Sequence, residues 1–208
     1  MQIPEQVVRT REELQTILGE PVESQANKSI DHIDQHCRTW IERCPFIVIA
    51  SSNAQGAMDV SPKGDPPGFV RVLDAQTLAI PDRPGNRRAD TFLNILENPN
   101  IAIIFIIPRR GETLRVSGEA CIVRDASLLH TMAVRDKVPE SAIVVYVKEA
   151  MFHYGKSMIR SQLWQPEAWP SIEGLPTYAK ALVDHANLSR TEEEVQEGVT
   201  RNERERLY

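Results

Sequence analysis

The sequence predicts a mainly β, α+β protein: an antiparallel sheet or barrel with peripheral helices. Three observations carry this. Between residues 46 and 147, strand-length segments rich in β-branched residues succeed one another across short turns, which favours antiparallel pairing over a parallel α/β sheet. Helical periodicity is confined to the two ends and to short inserts. The composition, 41% hydrophobic and 25% charged over 208 residues, is that of an ordinary globular chain long enough for one sizeable core.

Thr10-Arg-Glu-Glu13 is an S/T-x-x-E capping box that opens a short helix ending near Gly19. Asp31 to Arg43 reads as a second helix, with Ile33, Cys37, Trp40 and Ile41 on one face, and Pro45 prevents its continuation. Phe46–Ser51 is a strand, Asn53-Ala-Gln-Gly56 a turn, and Ala57–Ser61 the returning strand. Ser61-Pro-Lys-Gly-Asp-Pro-Pro-Gly68 reads as a stiff, irregular loop. Phe69–Leu73 and Thr77–Pro81 form a second hairpin, and Ala89–Glu97 is a short helix stopped by Asn98-Pro99. Ile101–Ile107 reads as a buried strand, Leu114–Val123 as a long strand, Ala126–Arg135 as a helix and Ala142–Val147 as a further strand. In the tail, His153–Leu163, Leu175–Ala186 and Thr191–Leu207 are helical in pattern, with a proline-and-tryptophan loop between Trp164 and Pro170. No linker or repeat divides the chain. It is expected to be one domain, with N-terminal helices over 1–44, a sheet core over 45–150 and a helical segment over 151–208.

Several function classes are excluded. A formal charge of −5 argues against a general nucleic-acid binder, while leaving room for a local basic pocket. No apolar run approaches the roughly 18 residues of a membrane span. The N-terminus lacks the apolar core of a secretory signal. Cys37, Cys44 and Cys121 form no CxxC pair, so a reduced, cytoplasmic protein is expected. His32 and His36 stand at i, i+4 without a third ligand, so no metal site is expected. There is no G-x-S-x-G elbow, Walker loop or Rossmann fingerprint.

Four stretches carry chemistry. Lys63 beside Gly64 reads either as part of an anion-binding nest or as a solvated lysine on a surface turn. Pro81-Asp-Arg-Pro-Gly-Asn-Arg-Arg88 gathers three arginines just before a helix start, where free N–H groups attract phosphate and arginine offers a bidentate fork; the alternative is a turn whose arginines lie in water, paired with Asp82 and Asp90. Arg71 and Arg115 are charges on strands, on faces shared with Phe69 and Leu73 and with Thr113 and Ser117 respectively; each reads either as a charge that needs a partner or as an arginine on a wet strand face, the second reading being favoured for Arg115. Lys156 and Arg160 stand at i, i+4, where they repel unless an anion lies near; the alternative is a solvated basic face.

In order, the segments SPKGDPPGFVRVLD, LAIPDRPGNRRADTFLNILENPNIAIIFIIP, ETLRVSGEA and HYGKSMIRSQLW, from about Pro45 to Trp164, resemble the FMN-binding split-barrel flavoproteins related to pyridoxamine 5′-phosphate oxidase. The resemblance implies a six-stranded antiparallel split β-barrel with peripheral helices, a homodimer, and one FMN at each of two equivalent interface positions. The cofactor-binding residues it points to, together with the residue reading, are Ser61, Lys63, Arg71, Val72, Pro81, Asn86, Arg87, Thr113, Arg115, Lys156, Arg160 and Trp164. The sequence departs from the oxidase proper in three places. Pro81 stands where the family has a hydroxyl-bearing residue, Thr113 replaces a glutamine that contacts the flavin ring, and the C-terminal substrate-arginine motif is not recognisable. FMN therefore remains the expected cofactor, and pyridoxamine phosphate is not the expected substrate. The expected activity is FMN-dependent oxidoreduction of an unidentified small molecule. The alternatives are a flavin sensor or carrier without turnover, and a split barrel holding haem or a deazaflavin.

Overall fold

The computed structural model describes residues 6–208; the first five residues, part of the N-terminal stretch read above for a signal, lie outside them. Seven strands form one antiparallel sheet: β1 (Phe46–Ser52), β2 (Met58–Gly64), β3 (Arg71–Val72), β4 (Thr77–Pro81), β5 (Asn100–Ile106), β6 (Thr113–Val123) and β7 (Ala142–His153). Their order is β2-β1-β5-β6-β7-β4-β3, so among the described residues β2 and β3 are free edges and the sheet stays open. The architecture is α+β and consistent with a split barrel. The resemblance implies six strands and the segment reading gives seven; the sheet has seven, with the strand expected over Phe69–Leu73 reduced to the two residues of β3, which pairs with β4 through Arg71–Ala79 and Val72–Leu78.

The helices are α1 (Arg11–Leu18), α2 (Glu23–Ala26), α3 (Gln35–Ile41), α4 (Asp90–Glu97), α5 (Ala126–His130), α6 (Lys156–Arg160), α7 (Tyr178–His185) and α8 (Glu192–Glu205). Capping chemistry explains several boundaries. Thr10 accepts from the Glu13 N–H at the start of α1, and Gly19 ends that helix at φ 74°. Asp34 caps α3 through the Cys37 N–H, so this helix starts at Gln35 rather than at Asp31. Thr191 and Glu194 form a reciprocal capping box on α8.

The core lies against one face of β1, β5 and β6. Ile47, Ile49, Ile103, Phe105, Leu114 and Val116 are buried there, under Ile33, Cys37 and Ile41 of α3 and its approach. Fully burying side chains of this size contributes about 1.5–3 kcal/mol each before entropy is counted. The β5 strand differs from its expected full burial: Ile101, Ile103 and Phe105 face the core, while Ala102 and Ile104 face outward. Its neighbours cover one side only, so alternation prevails over the continuous apolar run.

Other differences have local causes. Ser61-Pro-Lys-Gly64 is not loop but the end of β2, with Pro62 opposite Val48. An edge strand tolerates proline because its outward side lacks a ladder partner. The β7 strand continues to His153, past a bulge at Ser117/Gly118 that re-registers it with β6. The helix expected over His153–Leu163 is therefore only the five residues of α6. Similarly, α5 stops at His130, well short of Arg135. Among the described residues, no helix is long and apolar enough to cross a membrane.

Candidate functional site

A cavity of about 790 Å³ lies along the free edge of β2. Its walls are β2 (residues 59–63), the loop from Asp82 to Ala89, the start of α4, the loop Lys137–Ser141, and Asn202, Arg206 and Tyr208 from the end of the chain. The volume lies within the roughly 300–1,000 Å³ typical of small-molecule sites.

The floor is held rigidly. Thr91 donates to Asp59 Oδ2 at 3.1 Å, Asn94 to Ser51 Oγ at 3.0 Å and Asn98 to Ser52 Oγ at 2.8 Å, so α4 is pinned across β1 and β2. Ile95 is buried beneath it. The start of α4 has no side-chain cap, since its N-cap residue is Ala89 at φ 58°. Arg87 is also left-handed at φ 61°. Such conformations cost L-residues energy and persist where surrounding structure enforces them, commonly at ligand sites.

The electrostatics divide the lining. Arg83 is committed to Asp65, with Nε 2.6 Å from Oδ2, and Arg88 is paired with Asp90 at 2.7 Å. Lys63, Arg87, Lys137 and Arg206 line the cavity and enter no ion pair among the described residues. Asp59, Asp82 and Glu140 also line it, without an ion-pair partner among the described residues. Burial pushes the Asp82 carboxyl up from its ordinary range and Glu140 adds to this, while Lys63 opposes it. The cavity thus combines unpaired cations with uncapped backbone N–H groups, a donor set for a multiply charged oxyanion.

Of the residues singled out from sequence, Ser61, Lys63, Asn86 and Arg87 line this cavity together. The others lie elsewhere in the fold. Pro81 is buried in β4 opposite Ala142, beside the cavity rather than in its lining. Arg71 is exposed, as an edge-strand arginine in solvent would be, and donates to the Thr131 carbonyl at 2.8 Å. The Val72 carbonyl accepts from Arg38 at 3.4 Å. Thr113 is buried opposite His153, while Arg115 is exposed on the outer sheet face opposite Ile104. Lys156 and Arg160 are exposed on α6. Trp164 donates its indole N–H to the Arg110 carbonyl at 2.7 Å and so packs onto the β5–β6 turn.

Sequence reasoning missed Asp82, Lys137, Glu140, Arg206 and Tyr208 as members of the lining. Asp82 lay inside the arginine-rich stretch and was legible in principle. The others come from distant segments, and nothing local marks them.

An open antiparallel sheet with peripheral helices and a cation-lined cavity at its edge defines a split-barrel-like protein. The chain belongs to the pyridoxamine 5′-phosphate oxidase family, whose profile matches residues 33–156. No curated protein matches it significantly. Among solved structures it is similar to Group A Streptococcus HupZ at 22% identity and TM-score 0.46, over 57% of this chain and 91% of that one. It is also similar to an FMN-binding protein of Syntrophomonas wolfei at 10% identity and TM-score 0.43, over 55% and 86%. A third is HutZ, the haem storage protein of Vibrio cholerae, at 13% identity and TM-score 0.43, over 59% and 94%.

Proposed function

We propose that this protein is an FMN-binding oxidoreductase that acts as a homodimer on a small organic molecule. The observation that carries the reading is the convergence of Lys63, Arg87 and the uncapped start of α4 on one cavity, in a chain of this family. FMN joins a dianionic phosphate to a flat ring with one polar edge, and the cavity offers a complement to each part. Lys63 and Arg87 would hold the phosphate, with the left-handed backbone at Arg87 and Ala89 keeping the loop in place. The free edge of β2 supplies unpaired backbone N–H and C=O groups for the ring's polar edge. When bound, the flavin supplies two-electron chemistry, and the protein's part is to bind and orient it and to shape access for the substrate.

Support for the dimer comes from the outer sheet face. In cross-strand register, Pro62–Val48–Ile104 and Val60–Ala50–Ala102 form apolar rows that this protomer leaves uncovered. Val60 is 64% exposed, Met58 68% and Phe46 39%. A contiguous apolar sheet face of this kind marks an interaction surface. Arg115 extends the first row, so a second copy on this face brings Arg115 to the interface. Under this reading Thr113, Arg115, Lys156, Arg160 and Trp164 serve the partner's cavity rather than their own.

The test begins with the absorption spectrum of the purified protein, with and without added FMN. A yellow protein with flavin bands, and quenched flavin fluorescence on titration, is the expected result; a haem Soret band or a colourless protein that leaves FMN fluorescence unchanged overturns the cofactor. Anaerobic reduction by NADH or NADPH, followed by substrate-dependent reoxidation, separates enzyme from carrier.

A further inference from the structure

The segment after α8 returns to the cavity and fastens onto its wall. The Tyr208 hydroxyl donates to Asp65 Oδ1 at 2.7 Å, across 143 residues of sequence. The Asp65 side chain is only 1% exposed, and its other oxygen receives Arg83 Nε at 2.6 Å. Arg83 also donates to the Met132 carbonyl at 2.8 Å. A buried carboxylate is tolerated only when both oxygens are satisfied, so Tyr208 and Arg83 act on Asp65 as a pair.

The Tyr208 ring is held as well as its hydroxyl. The guanidinium carbons of Arg135 and Arg83 lie 5.3 Å and 5.8 Å from its centroid. Arg135 stands at φ 48° and Asp136 at φ 61°, two successive non-glycine residues in the left-handed region. Such conformations are unfavourable for side-chain-bearing residues and persist where the surrounding structure enforces them. The same turn, closed by the Val134–Lys137 bridge, delivers Lys137 to the cavity. Arg71 braces it from the other side through the Thr131 carbonyl. The phenol's ionisation is pushed up chiefly by its bond to the Asp65 carboxylate, so the contact persists through neutral pH.

We propose that Tyr208 is a positioning residue for the phosphate end of the cavity: through Asp65 and Arg83 it fixes the 82–89 loop, and the 206–208 segment forms a wall that slows escape of a phosphate-bearing ligand. The ligand part of this proposal rests on the flavin reading above.

The experiment compares wild type, Tyr208→Phe and Tyr208→Ala in two measurements. The first is the rate of FMN release, followed by recovery of flavin fluorescence on dilution, with riboflavin as the probe lacking phosphate. Tyr208→Ala should release FMN about tenfold faster with little change in association rate, since such contacts act mainly on dissociation. Tyr208→Phe should fall between, and riboflavin release should be unchanged. Unaltered FMN release in Tyr208→Ala, or equal acceleration for riboflavin, overturns the proposal. The second measurement is amide hydrogen exchange without ligand. Faster exchange across 82–89 and 131–137, with β5 and β6 unchanged, is expected in Tyr208→Ala; no change there overturns the positioning role. Should wild type fail to bind FMN, the flavin reading falls and exchange alone decides the role of Tyr208. Should Tyr208→Ala fail to fold, Tyr208→Phe carries both measurements.

Discussion

Gly155 and Gly111 meet backbone to backbone: a Cβ built on Gly155 would lie 2.7 Å from the Gly111 Cα and closer still to its carbonyl. This contact seats the junction of β7 and α6 against the β5–β6 turn. Trp164 fastens the same turn through the Arg110 carbonyl, and the Arg110 guanidinium lies 5.8 Å from the Trp40 ring centroid. The α6 segment is thereby fixed to the sheet at two points. Gly155→Ala should destabilise the protein by about 1–3 kcal/mol or more, because both sides of the overlap are backbone and no rotamer relieves it. Chemical denaturation of the variant checks this.

Arg87 lines the cavity and has no acidic partner among the described residues. If it holds a ligand phosphate, Arg87→Ala should weaken FMN binding by about 1.5–3 kcal/mol, the size of a hydrogen bond to a charged group. Fluorescence titration reads the change, and an unaltered affinity removes Arg87 from the site. Arg88, tied to Asp90, serves as the control and should matter less.

Asp82 faces the unpaired cations of the cavity, and its folded-state pKa is raised, first by burial and then by Glu140. A raised pKa means that the proton is bound more tightly in the folded state. The associated stability is present below the unfolded carboxylate range and lost as pH rises through the folded value. Asp82→Asn should therefore be more stable than wild type at pH 7, by less than about 1 kcal/mol because solvent at the cavity mouth screens the charge. The advantage should vanish below about pH 4. The same substitution should tighten FMN binding severalfold at neutral pH by removing a like charge. Thermal melts across pH, with affinities at pH 7, test both.

The outer sheet face offers a direct test of the dimer. Val60→Asp and Ile104→Glu place charges in its two apolar rows without touching the core side of the sheet. Sedimentation should show wild type as a dimer at micromolar concentration and the double variant as a folded monomer. A monomeric wild type at that concentration overturns the homodimer.

The three cysteines should separate cleanly. Burial and Asp34 push the Cys37 thiol up to about 12, and burial raises Cys44, whose sulfur also contacts the Phe46 and Ile106 carbonyls. A thiol must ionise to react. At pH 8 a thiol reagent should therefore label one cysteine per native chain quickly, namely the half-buried Cys121, and the other two only on unfolding. Cys121→Ser should abolish the fast phase.

What the sequence determined by itself is local. The run from Ile101, the alternation of Leu114 to Val123 and the caps at Thr10 and Thr191 set where strands and helices form, because period, propensity and capping act over a few residues. The arginine-rich loop before α4 was legible for the same reason: its cations and the helix start are neighbours in the chain. The tertiary structure alone decided the rest. It placed Ser61–Gly64 on a free sheet edge rather than in a loop, since only strand order shows which edge lacks a partner. It sent Arg71 to the Thr131 carbonyl and left Arg115 on an outer face, since alternation shows which residues share a face but not what lies opposite. It also brought Tyr208 onto Asp65. A contact spanning 143 residues leaves no periodicity, spacing or motif behind, because its partners are brought together by the packing of the sheet, the 131–137 turn and α8 and not by any local signal.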